Sequence, residues 1–560
     1  MKVRCKYPDA PAHNDLINAG IIPGVNRVVA GLLILVVLQL ACGATPALWG
    51  TYYTPTPGPL DLPGFTPDPS LLPIETAILP NLIASSTPTS ITSNVSPTRQ
   101  ASSLVEPTLT ATFDAAPILY YTQSGDTVPG LAKRFNIAQS EVTSSTPLPA
   151  NGLIDPGTLL VLPDRISGPR TPNIQIMPDS EVVFTATAVD FDITGYIRDA
   201  NGHLRTYREY LGSTGWATGP EAIRRLAYEN SIDPRLLLGI LEYESRWVRG
   251  RPVDALHTDY PMGYEDFRYK SLFTQMVWAV NQISIGYYGW RTGNLTELKF
   301  LDGTKLRLDP RLNAGTVAIQ YLFSRLHSQS QWSQIIDPET GFPALYAEMF
   351  GDPWSRAEAV NPIFPAGLSQ PEMALPFDPK VEWSFTGGPH GAWEHDGALA
   401  AIDFAPATER AGCTLTPTWV TSAAPGLVVR SEYGVVVVDL DGDGYEQTGW
   451  NLLYLHVANR ERVRVGEWVD RNDNIGHASC EGGISTGTHL HFARKYNGEW
   501  LEADGPISFV LSGWTTKAGA KPYEGMLVSG DRTILADPVG QARSVIFRET
   551  SDIEPTPIGP

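Results

Sequence analysis

Apolar, largely β-branched positions crowd into short runs between residues 425 and 469. Pro425-Gly426-Leu427-Val428-Val429, Gly434-Val435-Val436-Val437-Val438-Asp439, Leu452-Leu453-Tyr454-Leu455-His456-Val457 and Val463-Arg464-Val465-Gly466-Glu467-Trp468-Val469 follow one another with turn residues between. This pattern predicts antiparallel strands in a β-sandwich or groove. Upstream the period changes. Ala222, Ile223, Leu226 and Ala227 recur at helical spacing. Asp233 caps a second predicted helix that starts at Pro234 and runs to Ser245. Nearer the N-terminus, Tyr121–Val128, Leu131–Phe135 and Leu153–Pro163 read as strand and turn, helix, and closing strand. Residues 165–210 read as a connector, to which Glu181-Val182-Val183-Phe184-Thr185 adds a strand. Residues 44–117 are rich in Pro, Ser and Thr, cannot bury a core, and read as an extended tether. Residues 535–560 read as a tail.

A chain of 560 residues is long enough for several domains. Its net charge of −19 argues against nucleic-acid binding. The apolar run Val28–Leu38, preceded by Arg27, is shorter than the roughly 20 residues of a spanning helix and fits the core of a signal sequence. Gln39-Leu40-Ala41-Cys42-Gly43 follows and resembles a bacterial lipobox with Cys42 as the acylated residue, although Gln39 stands where an aliphatic residue is usual. A cleaved or uncleaved signal anchor is the alternative, and a start near Val25 would remove an unusually long leading segment. The expected place is outside the cytoplasm, at the cell surface, on a membrane anchor or secreted.

Six of the ten histidines lie between positions 390 and 491. His489 and His491 are one residue apart, so on a strand they share a face. A catalytic zinc takes about three His, Asp or Glu ligands and keeps one open position. His390 in Gly387-Gly388-Pro389-His390, Asp403 and His491 would supply such a set. His395, in His395-Asp396-Gly397, competes with His390 as the first ligand. No His-Glu-x-x-His segment is present, which excludes a thermolysin-like arrangement.

These residues together resemble the lysostaphin/LasA-type zinc endopeptidases, which cut cell-wall peptides. The resemblance covers residues 372–534 and implies an antiparallel all-β zinc peptidase domain. It implies His390, Asp403 and His491 as ligands and His456 and His489 as acid–base or oxyanion partners. Cys413 and Cys480 fall in this domain, and an exported chain favours a disulfide between them over two free thiols. Asp439-Leu440-Asp441-Gly442-Asp443-Gly444-Tyr445-Glu446 resembles the start of a calcium loop but has Trp450 where a twelfth-position Glu is expected. An acidic hairpin turn is the favoured reading.

Two further resemblances lie upstream. Ser124-Gly125-Asp126-Thr127 and the ending Pro156-Gly157-Thr158-Leu159-Leu160-Val161-Leu162-Pro163 resemble a LysM domain over 118–164. That implies a βααβ module that binds glycan near Gly125, Asp126, Thr127, Leu153 and Ile154. Residues 211–370 resemble the mainly α, lysozyme-like fold of lytic transglycosylases, with Glu244 of Glu244-Ser245 matching the general acid. The usual Gly-Leu-Met-Gln motif is missing, and Thr274-Gln275-Met276 is at best a remnant. The combined expectation is an exported zinc peptidase acting on peptidoglycan, targeted by a glycan-binding module. A noncatalytic wall-binding scaffold or hydrolase activator, or a lytic transglycosylase, are the alternatives.

Overall fold

The computed structural model describes residues 116–549 apart from 213, 409 and 410. The signal, lipobox and tether readings lie outside the described residues. Among the described residues, no helix is long and apolar enough to cross a membrane.

The first module has strand β1 (Ile118–Tyr121), helix α1 (Val128–Phe135), and strands β2 (Thr143–Ser144) and β3 (Leu159–Leu162). Thr127 starts α1 by accepting the Gly130 N–H, and Asn136 ends it in a left-handed cap. The expected second helix is a single three-residue 3-10 turn, Gln139–Glu141, leading into β2. A run of Ser, Thr and Pro from Thr143 to Pro149 gives little to propagate a helix there.

The helical domain begins earlier than the connector reading allowed. Ile176, Met177, Val182, Val183 and Phe184 are buried in its core, and helix α2 (Ile193–Ala200) follows. Glu181–Thr185 is not a strand: a 3-10 turn occupies Asp179–Glu181, and only Val183 makes an isolated bridge, to Ile232. A hairpin, β4 (Arg208–Leu211) and β5 (Gly215–Thr218), precedes α3 (Gly219–Asn230) and α4 (Pro234–Ser245). Thr218 and Glu221 form a capping box on α3, and Asp233 caps α4. A long helix α5 (Leu272–Arg291), a small hairpin β6 (Glu297–Lys299) and β7 (Lys305–Arg307), and α6 (Ala314–Leu326) complete the central bundle.

The C-terminal domain is built on one nine-stranded antiparallel sheet. Its central strands are β8 (Trp383–His390), β9 (Ala401–Pro406), β11 (Gly426–Glu432), β12 (Val435–Asp439), β13 (Trp450–Leu455) and β16 (Leu490–Tyr496). Strand β10 (Trp419–Thr421) pairs with β15 (Asn474–His477) beside the sheet, and β14 (Trp468–Val469) forms one of its edges. Val463–Gly466 is not strand, because Gly466 turns with φ of 86° and Glu467 closes back on Arg464. Strand β17 (Glu499–Trp500) pairs with β16, and a four-stranded sheet follows from Val510 to Leu535. Nor is the segment after 534 a free tail: Val545–Ile546 hydrogen-bonds to β8 and closes the other edge.

The run Val435–Val438 is apolar at every position because both faces of the sheet are covered. Val436, Val438, Leu452, Tyr454 and Phe492 pack into the core of the β domain. Val435, Val437, Leu453, Leu455 and Ala493 pack into one continuous core with the helical domain. The helices therefore sit on the sheet face that also carries the side chains of the candidate metal centre.

Candidate metal centre

One rung of the sheet assembles the site. His491 on β16 pairs with Asp403 on β9 and with Leu455 on β13, and Gly387 on β8 pairs with Asp403. Register shifts in β8 then bring His390 alongside Ala401. Gly387 and Gly388 are required by close approach. A Cβ at Gly387 would lie 2.5 Å from the Asp403 Oδ2, and one at Gly388 would overlap the Glu524 carbonyl. The Gly-Gly-Pro-His segment thus lets a carboxylate and a neighbouring turn close on the strand.

His390, Asp403 and His491 are buried, and each offers a ligand atom within 4.8 Å of the others. The His390 Nδ1–H donates to the Gly388 carbonyl at 2.8 Å, and the His491 Nε2–H donates to the Ala392 carbonyl at 2.9 Å. Carbonyls only accept, so the tautomers are fixed and lone pairs remain on His390 Nε2 and His491 Nδ1. These two nitrogens face each other at 3.0 Å. As neutral rings they have no proton to share. Asp403 Oδ1 lies 3.2 Å from the first and 3.4 Å from the second, is buried, and has no hydrogen-bond donor of good geometry. Three converging lone-pair donors with no proton between them are a donor set that fits zinc.

His456 and His489 complete the wall. The His456 Nδ1–H donates to the Glu481 carbonyl at 2.8 Å, and the His489 Nδ1–H donates to the Gly487 carbonyl at 2.8 Å, so both keep Nε2 free. Their rings lie 4.5 Å apart, and His456 lies 6.2 Å from His491. His489 Nε2 is 3.9 Å from Asp403 Oδ1. Burial, then the neighbouring His489 and His491, push the pKa of His456 down to about 3, so it is neutral at physiological pH. His456 lies just beyond β13, where φ of 66° places it in the left-handed region. Simple alternation after Leu455 would have sent it to the opposite face, and this turn returns it to the site.

His395 is exposed and outside the cluster, and His477 is tied to Glu461 and the Thr418 carbonyl. Cys413 and Cys480 form a disulfide that anchors the 411–414 loop beside the Glu481 turn. Sequence reasoning missed Tyr523. Its ring stacks on His390 with centroids 4.0 Å apart, half exposed, and its backbone bonds to Gly388 and Pro389. A single Tyr in a turn more than 30 positions downstream carries no periodic signal.

The upstream residues are placed differently. Asp126 is buried in an ion pair with Arg134 and accepts the Tyr120 hydroxyl at 2.8 Å. Gly125 lies under the Arg291 guanidinium, which donates to the Ser124 carbonyl, and the Phe364 N–H donates to Ser124 Oγ. Thr127 bridges Leu153, and Ile154 is buried with its N–H on the Asp126 carbonyl. Glu244 pairs with His327 Nε2 at 2.9 Å. Gln275 of the Thr-Gln-Met segment is buried and holds the carbonyls of Tyr264 and Tyr269.

Comparison with known proteins finds family matches for both the β domain and the helical domain. Residues 405–503 match Peptidase family M23, and residues 175–363 match the LasA N-terminal domain. Protease LasA of Pseudomonas aeruginosa (strain UCBPP-PA14) is 26% identical over 359 residues, covering 60% of this chain and 77% of that protein. Beta-lytic metalloendopeptidase of Lysobacter enzymogenes is 25% identical over 167 residues, covering 29% of this chain and 85% of that protein. A solved M23 metalloprotease, pseudoalterin from the deep sea, is 22% identical over 30% of this chain and 96% of its own, with a TM-score of 0.26. M23 metallopeptidases are zinc-dependent, and these matches support a lysostaphin/LasA-type metallopeptidase domain preceded by a LasA N-terminal-type domain.

Proposed function

We propose that the chain is an exported peptidoglycan hydrolase whose zinc endopeptidase domain cuts cell-wall peptides. The observation that carries this reading is the convergence of His390 Nε2, Asp403 Oδ1 and His491 Nδ1, flanked by the free Nε2 atoms of His456 and His489. Zinc held there by His390, Asp403 and His491 would supply a Lewis acid for a scissile carbonyl and lower the pKa of water. His456, neutral and with Nε2 available, takes a proton from the attacking water and returns one to the leaving amine. His489 is the neighbouring ring placed to share that proton or stabilise the developing oxyanion, and Tyr523 lines the rim. A scaffold or activator role is disfavoured because every residue of the set is present and oriented.

The remaining parts serve this activity. The lipobox at Cys42 would hold the chain at the membrane, and the tether would carry the enzyme out to the wall. The N-terminal module is a LysM-like glycan binder, whose turn at Gly125 must leave Arg291 before a sugar reaches it. The helical domain keeps a lysozyme-like Glu244, but its pairing with His327 and the missing motif make glycan cleavage secondary to peptide cleavage.

Metal analysis of the purified chain tests the ligand set. We expect one zinc per chain, lost together with peptidase activity in His491→Ala and retained in His456→Ala, which loses about 10²–10⁴-fold in kcat. Full activity in His491→Ala contradicts the proposal.

A further inference from the structure

The loop between β12 and β13 holds a second group of oxygen donors, independent of the peptidase reading. Asp439, Asp441 and Asp443 each offer a carboxylate oxygen within 4.8 Å of the others. Asp439 is fully buried. It accepts the Asp441 N–H at 3.2 Å and the Gly444 N–H at 2.9 Å. Among the described residues no Lys, Arg or His pairs with any of the three. Arg430 and Lys495 are each engaged by Glu446 at 2.9 Å.

A separate observation points to a ligand. Asn451 is fully buried and pairs in register with Asp439, so both side chains share one face of the sheet. Its Nδ2 donates to the Thr448 carbonyl at 2.7 Å, turning the amide into the loop. The Thr448 hydroxyl in turn donates to Asp443 Oδ2 at 2.6 Å. The other end of the amide, Asn451 Oδ1, is buried with no donor. A buried carbonyl oxygen paired in register with the buried Asp439 bears a desolvation cost that a hydrogen bond or a cation must offset.

We propose that this loop binds a calcium ion through the carboxylates of Asp439, Asp441 and Asp443 and the amide oxygen of Asn451. The donors are all hard oxygens on a hairpin loop and the two strand ends that flank it, which suits calcium rather than zinc. Asn451 supplies the oxygen that a calcium loop would draw from the Glu absent at Trp450. Strand β13 runs from this loop to His456, so the ion would fix one end of the strand whose other end enters the zinc centre.

Titration of the zinc-loaded full chain with calcium chloride, followed by calorimetry and thermal unfolding, tests the site. Terbium luminescence gives a local readout, because the Trp468 ring lies 2.9 Å from where a Cβ of Gly442 would sit. Expected are one saturable calcium per chain, a rise of several degrees in Tm, and Trp-sensitised terbium emission that calcium displaces. Asp443→Asn, at an exposed position, should fold, keep its zinc, and lose about tenfold or more in calcium affinity. Absence of saturable calcium binding, unchanged affinity in Asp443→Asn, or equal affinity for magnesium overturns the assignment.

Discussion

Each imidazole of the metal centre is oriented by the nitrogen it does not offer. Gly388, Ala392, Glu481 and Gly487 supply the carbonyls, so backbone geometry and not side-chain chance fixes four rings. Gly387→Ala tests how closely this is packed. Its new Cβ would press on Asp403, so zinc affinity should fall about 10–100-fold with little change in stability, read by competition with a chelator. The proposed ligands were legible only through the resemblance that joins Gly387-Gly388-Pro389-His390 and Asp403 to the His-x-His pair, which alone is a weak signal. The approach of His456 was not legible, because a left-handed turn overrides the alternation of the strand. Tyr523 reaches His390 through tertiary folding alone.

The hairpin of β12 and β13 carries the acidic cluster at its loop and leads to His456 at its other end. Glu446 in its loop is buried between Arg430 and Lys495. Burial opposes its charge, but the two cations keep its pKa below the usual carboxylate value. Its contribution to stability is therefore complete above the unfolded pKa of about 4.3 and is lost as pH falls through the lower folded value. Glu446→Gln leaves two cations buried without an anion. It should cost about 3–5 kcal/mol in denaturant unfolding at neutral pH and flatten the acid limb of the stability profile. A stability loss below about 1 kcal/mol would show that the pair is not desolvated. The four β-branched runs predicted this part of the sheet well. The last run is strand only at Trp468–Val469, since Gly466 breaks a pattern that composition alone reads as continuous.

In the whole molecule, the helical and β domains share a core. Trp500, 5% exposed, donates its Nε1–H to the Asn230 carbonyl at 3.1 Å across that boundary. Glu499 binds Arg291, which also reaches Asp179 and the N-terminal module. Trp500→Ala should destabilise the chain by about 3–5 kcal/mol and lower one common unfolding transition. Separate transitions for the helices and the sheet would contradict a shared core. This arrangement explains why domain limits were harder to read than strands. Residues 176–184 look like connector in sequence because their five apolar positions follow neither a helical nor an alternating period, yet all have a core to enter. The segment after 534 looks like a tail because the partner of its short strand, β8, lies about 160 residues earlier. Mass spectrometry of fragments released from defined peptidoglycan, with and without a chelator, tests peptide-bond cleavage by the proposed zinc centre. Fragments with newly exposed peptide termini should vanish on chelation and return with zinc, whereas release of glycan fragments alone, or release indifferent to chelator, would rule out such a centre.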